Sequence, residues 1–366
     1  MVSRLTGGAL LLVALLLACW FPGVLHAQVE PTQLSISQAI EKALSEANAV
    51  KLAELDVDRA RHVADHTWDL HGRQLQLTYN PVDQLYTTLP TGDAFPLVMS
   101  ADRRWHIAQK AYQITKDATE LSVKKAYFDV LQALDDLTAA QKAMEYSTHS
   151  YQVSTAMFQV GMVNHLTLGM ASSGLEKSRS ELRSSEAAVD EAYRGLNRLI
   201  GFDPLSRPIL VDHVPFEKLL VDSPGIEASR AKDSAVNPAL WIKQEQYEIA
   251  RYMRSNTSPE LAGKVDVDKA YLEYNSARET AGDQMYNRIQ QIMALEASYA
   301  ASVQQLRVAE DRYRIEELRH RLGMSTKKDL LETQLALSQV KAASTKITAM
   351  HCLTKELFEK PWLAQQ

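Results

Sequence analysis

Asp329 and Glu332 lie three residues apart just beyond Gly323, a spacing that puts both carboxylates on one face of a helix. Crowded carboxylates favour cations and raise one another's pKa. Acidic residues in the first turns of a helix also serve as plain partners of its dipole, and Lys327 and Lys328 stand close enough to neutralise them. Two glycine sites follow one formula: Val160-Gly161-Met162 and Leu322-Gly323-Met324 each place a glycine between an apolar residue and a methionine. Glycine tolerates the left-handed conformation that a chain reversal needs. Apolar residues there either pack locally or mark a partner site. The ten histidines are scattered. The nearest sets, His62/His66 and His66/His71, include one four-residue spacing that suits a metal on a helix but have no further well-placed ligand. There is no glycine-rich phosphate loop, nucleophile elbow or cofactor fingerprint. The sequence predicts no enzyme, no cofactor and no metal site.

Long rods position these residues. Backwards from Gly161, Phe158, Tyr151, Met144, Leu137 and Val130 recur every seven positions. An offset of 162 carries that series onto His320, Tyr313, Leu306, Tyr299 and Ile292 before Gly323. Beyond Gly161 the period resumes at Leu168, Leu175, Leu182, Val189 and Leu196. The second copy follows less strictly with Leu330, Leu337, Ser344, His351 and Phe358. A period of seven kept up this long specifies helices that bury a narrow seam against one another. Its recurrence at a fixed offset marks an internal duplication. A helix from near Ala108 to Val160 would run roughly 80 Å, and one from Val163 to Ile200 roughly 55 Å. The fold class is all-α, two tandem antiparallel hairpins whose tips lie at Gly161 and Gly323.

Composition narrows the class. Arg4, an apolar run from Ala9 to Phe21, Pro22-Gly23 and small residues near Ala27 read as a secretory signal over residues 1–27. Cys19 offers a weak lipidation site because Trp20 and Phe21 continue the apolar run behind it. No other segment suits a membrane-spanning helix. After cleavage Cys352 stands alone, which excludes an internal disulfide. A net charge of −5 with interleaved signs gives no footprint for nucleic acid.

The organisation follows. Residues 28–203 form the first repeat. Ser35 and Gln38 have capping-box spacing and open an amphipathic helix running toward Trp68, and the long hairpin occupies about 104–200. Residues 204–234, rich in proline, join the repeats. Residues 235–360 form the second repeat, with a short helix after Asn237-Pro238, a break at Asn256–Pro259, and a hairpin from about Gly263 to Phe358. Residues 361–366 are a tail.

Several stretches resemble the TolC-like outer membrane efflux proteins. They are Leu34-Ser35-Ile36-Ser37-Gln38-Ala39-Ile40, Ala126-Tyr127-Phe128-Asp129-Val130-Leu131-Gln132-Ala133, Val160-Gly161-Met162-Val163, Leu196-Asn197-Arg198-Leu199-Ile200-Gly201 and Asn237-Pro238-Ala239-Leu240. Their order and spacing cover residues 34–360. The resemblance implies a homotrimer whose six hairpins close into a hollow barrel. That barrel would be the exit duct of a tripartite efflux pump or type I secretion system, joined by a periplasmic adaptor to an inner-membrane transporter. It further implies that Val160, Gly161, Met162, Leu322, Gly323 and Met324 dock the adaptor, and that Asp329 and Glu332 ring a pore constriction. Thr167 and Met170, at the matching offsets of the first copy, add no charge.

One departure concerns the membrane. Each repeat of such a protein should hold two strands in the gap before its hairpin. Here only Gln74–Tyr79 alternates clearly, Phe95–Met99 is a weaker second candidate, and the second copy offers none. At best six strands per trimer fall below the eight of the smallest bacterial barrels. The family's outer membrane location is therefore expected without a complete barrel. Trp68, Tyr79 and Tyr86 read either as interfacial aromatics or as parts of a loop cap. A non-conducting envelope scaffold or chaperone using the same seams is the competing reading.

Overall fold

The computed structural model describes residues 33–71, 76–80, 85–89, 94–220, 223–256 and 259–365. The expected signal segment and Cys19 lie outside them.

Helix α1 (Ile36–Glu46) starts where Ser35 predicts it. The Ser35 hydroxyl accepts the Gln38 N–H at 3.2 Å, and the Gln38 side chain accepts the Ser35 N–H at 3.0 Å. The single helix expected as far as Trp68 is in fact two. Ala47 is extended (ψ 118°), and its carbonyl accepts from Val50 and Lys51 to open α2 (Asn48–His71).

Strand β1 (Gln33–Leu34) precedes α1, and β2 (Gln76–Asn80) and β3 (Leu85–Leu89) follow α2 as an antiparallel pair with Tyr79 opposite Tyr86. The first strand thus lies close to its expected place, but Phe95–Met99 is not the second. Those residues begin α3 (Ala94–Gln159), about ten residues ahead of the expected start. Pro96 sits in the first turn, where its missing N–H has no intrahelical role. Ala94, Val98 and Ala101 are buried at helical spacing.

Helix α3 has 66 residues, roughly 100 Å of rod. It reverses into α4 (His165–Ile200), which ends at Gly201 in the left-handed region, φ 71°. The chain then returns through β4 (Ile209–Leu210), parallel to β1. After α5 (Pro224–Ala231), buried Asn237 caps α6 (Pro238–Met253) by accepting the Ala239 and Leu240 N–H groups. A short 3-10 turn leads to α7 (Glu260–Arg321), which reverses into α8 (Lys327–Glu359). Among the described residues the second repeat has no strand between α6 and α7.

The two hairpins, α3/α4 and α7/α8, are joined side by side through α3, which packs on α2, α4, α6 and α8. The seven-residue seams are the packed faces. Val130, Val189, Leu196, Ile292 and His351 are buried, and Leu137, Leu168, Leu306 and Leu337 are half-buried. Polar pairs cross between helices as well: Ser147 with Ser178 at 2.7 Å, and Thr345 donating to Asp135 at 2.6 Å. The Lys360 ammonium reaches Asp117 at 2.7 Å and Glu120 at 3.0 Å. Burial pulls its pKa down, but these two bonds outweigh that and hold it above the ordinary lysine range.

The seams do not carry all the stability. The larger compact core lies at one level of the rods, where Val123, Tyr127, Phe128 and Val130 of α3 meet Ala39 and Ala43 of α1 and Tyr193, Leu196 and Ile200 of α4, and a smaller one joins Ala231, Met285 and Ile289. Tyr127 ties the larger core to β1 and to the segment just after β4, its hydroxyl donating to the Leu34 carbonyl at 3.0 Å and accepting the Asp212 N–H at 3.1 Å. Tyr127→Phe leaves the Asp212 N–H without its acceptor, while the Leu34 carbonyl keeps only the Val211 N–H at 3.3 Å, and is expected to cost about 1–3 kcal/mol in chemical denaturation; a change within error would remove the hydroxyl from the account of this junction.

Candidate docking tips and an acidic groove

The two reversals are one structure built twice. At the first, Gly161 has φ 75°, its N–H bonds to the Phe158 carbonyl at 3.0 Å, and the Met162 N–H bonds to the Met157 carbonyl at 2.8 Å. At the second, Gly323 has φ 73°, bonding to His320 at 3.0 Å, with Met324 bonding to Arg319 at 2.8 Å. This paired bonding closes the last helical turn around a left-handed glycine. The next helix is capped at the same offset: Asn164 accepts the Thr167 N–H at 2.9 Å, and Thr326 accepts the Asp329 N–H at 3.2 Å.

The tip side chains do not pack locally. Val160 is 69% exposed, Met162 75%, Leu322 74% and Met324 68%. A Cβ on either glycine would meet nothing within 4 Å, so backbone conformation rather than crowding selects glycine there. The tips differ on their flanks. Phe158 meets His165 edge-on at 6.0 Å in the first, whereas His320 Nδ1 lies 3.2 Å from the Ser325 carbonyl in the second.

Asp329 and Glu332 are both exposed, and both line a groove of about 800 Å³ between α7 and α8. Arg312, Glu316 and Arg319 line it too, over a floor that includes Val308, Ala309 and Ala336. The groove therefore carries both signs of charge. The two carboxylates differ in their bonding. Asp329 accepts from the Thr326 hydroxyl at 2.7 Å and the Thr326 N–H at 3.0 Å, completing a reciprocal cap. Those bonds, the hydroxyl's first, hold its pKa below the ordinary aspartate value, with Lys328 and Arg319 adding to the effect. Sequence reasoning missed Thr326, although a threonine three residues before an acid at a helix start is the capping signature. It also missed the arginines, which sit on the partner helix and share no local pattern with Asp329.

Among the described residues no cluster of three or more histidine, cysteine, aspartate or glutamate side chains could hold a metal ion. His62, His66 and His71 lie along α2, and Cys352 is half-buried with its thiol pKa pushed up by burial. No described helix is long and apolar enough to cross a membrane.

Residues 89–202, spanning the first hairpin, match the outer membrane efflux protein family. The whole fold is similar to solved outer membrane channels. For Campylobacter jejuni CmeC the match covers 90% of this chain and 85% of that one, at 13% identity and a TM-score of 0.69. The channel OprN gives 12% identity, coverage of 90% of each chain and a TM-score of 0.67. The open state of Neisseria gonorrhoeae MtrE gives 15%, coverage of 90% and 88%, and 0.58. Residues 89–202 thus resemble an outer membrane efflux protein domain, and the chain shares the fold of these channels. No curated protein matches the sequence. Within this fold the tips and the groove share one end of the rods, and the β2–β3 pair lies at the opposite end of α3.

Loss of the reciprocal cap should be visible at that end. The folded pKa of Asp329 is depressed, so its stabilisation is present above the unfolded value near 4 and is lost as pH falls through the folded value. Asp329→Ala is expected to speed amide exchange over residues 326–329 several-fold at pH 7. The gap from wild type should narrow below pH 4. A gap that widened on acidification would contradict the cap.

Proposed function

We propose that this protein is the exit duct of a tripartite efflux pump or type I secretion system. In that role it is a homotrimer in the cell envelope, with its tips docked on a periplasmic adaptor that leads to an inner-membrane transporter. One observation carries the reading: apolar side chains run in exposed rows along helices, uncovered by the described residues. On α7, Val265, Leu272, Tyr286 and Met293 share one heptad position and are exposed, and on α2 the same holds for Leu52, Leu55, Val63 and Leu70 at helical spacing. Exposed rows of this kind on two separate helices suit head-to-tail closure of identical copies into a ring. The family match and the shared fold support the same role.

The tips supply the adaptor contact. Val160, Met162, Leu322 and Met324 are open apolar residues held on rigid glycine turns, and the two methionines are unbranched and adaptable. Asp329 and Glu332 face the groove beside the second tip, where three copies would set six carboxylates near the neck of the duct. Asp329 is already bound by Thr326, so Glu332 is the freer of the pair to act on passing cations. The β2–β3 pair, remote from the tips, is the segment that approaches the outer membrane.

The test is copurification with the adaptor of the cognate pump. Met162→Asp combined with Met324→Asp is expected to lower adaptor recovery at least tenfold while leaving the trimer intact. Recovery equal to wild type would remove the tips from docking, and a wild-type protein that stays monomeric would remove the duct itself.

A further inference from the structure

His351 is fully buried in the second hairpin, and neither ring nitrogen reaches a hydrogen-bond partner within the protein. Its surroundings are contributed by several elements. From α7, a Glu296 carboxylate oxygen lies 3.6 Å from Nε2. From the segment between β4 and α5, the Phe216 ring lies 4.6 Å from the imidazole and stacks at 3.6 Å on Tyr299. The same Glu296 oxygen accepts the Leu219 N–H at 2.7 Å. The other charged groups nearby are Lys124, bound to Glu356 at 2.6 Å, and Lys355, bound to Glu217 at 2.7 Å and 3.9 Å from Glu359, which leaves one carboxylate in excess. These five and Cys352 line, with His351, a cavity of about 230 Å³ that gives a proton access.

Residues 215–219, the strap joining the two repeats, are therefore held through groups that meet at one buried histidine. A neutral imidazole leaves at least one nitrogen without a partner there. A charged one is attracted both to Glu296 and to the face of Phe216.

We infer that His351 is a proton-operated latch for the strap. When it is charged, His351, Glu296 and the Leu219 amide form one connected chain, and Phe216 is clamped between the imidazolium and Tyr299. When it is neutral, the Glu296 contact and the ring attraction weaken and the strap loosens. Acidification tightens the joint between the repeats, and alkaline conditions free it. The inference does not depend on the duct reading, because it concerns contacts inside one chain.

Hydrogen exchange of the full-length protein tests it, read on peptides covering residues 215–220 between pH 8 and 5.5 and corrected for the intrinsic rate. The expected gain in protection on acidification across this window is about tenfold. His351→Gln and Glu296→Gln should each flatten the profile, the latter keeping an oxygen to accept the Leu219 N–H. If His351→Gln does not fold, Glu296→Gln alone decides. Protection that falls on acidification, or that rises equally in the folded variants, overturns the latch.

Discussion

A helix of 66 residues whose apolar side chains return every seventh position has one constraint to satisfy: the stripe must be covered along its whole length. Helix α4 covers only part of it, since 36 residues reach little more than half as far. The remainder of α3 is met by α2, α6 and α8, so this one rod holds the two repeats together. The duplicate rod α7 is less fully covered. Its row at Val265, Leu272, Tyr286 and Met293 faces outward, uncovered by the described residues.

Stability and exposure are divided along the rods. Near Tyr127 the protein resembles an ordinary domain, with a closed apolar core, the β1–β4 strand pairing and buried hydrogen bonds. Toward the tips each hairpin is two helices thick, with few buried groups and much exposed apolar surface. What keeps the tips in shape is local and polar: left-handed glycines, paired backbone bonds, and caps at Asn164 and Thr326. Such ends are ordered without being deeply stabilised, which suits a surface that must meet a partner. The joint between repeats is held differently again, by aromatic stacking and a buried carboxylate around His351.

Much of this was legible in the sequence because it is periodic or local. The seams from Val130 to Phe158 and from Leu168 to Leu196, the reversals at Gly161 and Gly323, and the starts at Ser35 and Asn237 each depend on neighbours within a turn or a heptad. The failures have physical causes. Phe95–Met99 is a weak strand candidate in the sequence, yet its apolar residues open a helix, whose first turn accepts Pro96 freely. The actual strand Leu85–Leu89, with Tyr86, Thr87 and Thr88, carried the β-branched and aromatic signal and was passed over. The break at Ala47 has no glycine or proline to announce it. The β1–β4 pairing, the arginines of the groove, and the ring stack on His351 join residues far apart in the chain, which no local pattern records.

The central claim is that uncovered stripes on long duplicated rods oblige three copies to close side by side around water. Electron microscopy of the purified protein, viewed down the long axis, tests this directly. The account predicts a three-fold ring with an open centre, and a solid bundle or an isolated rod whose exposed rows stay bare would contradict it.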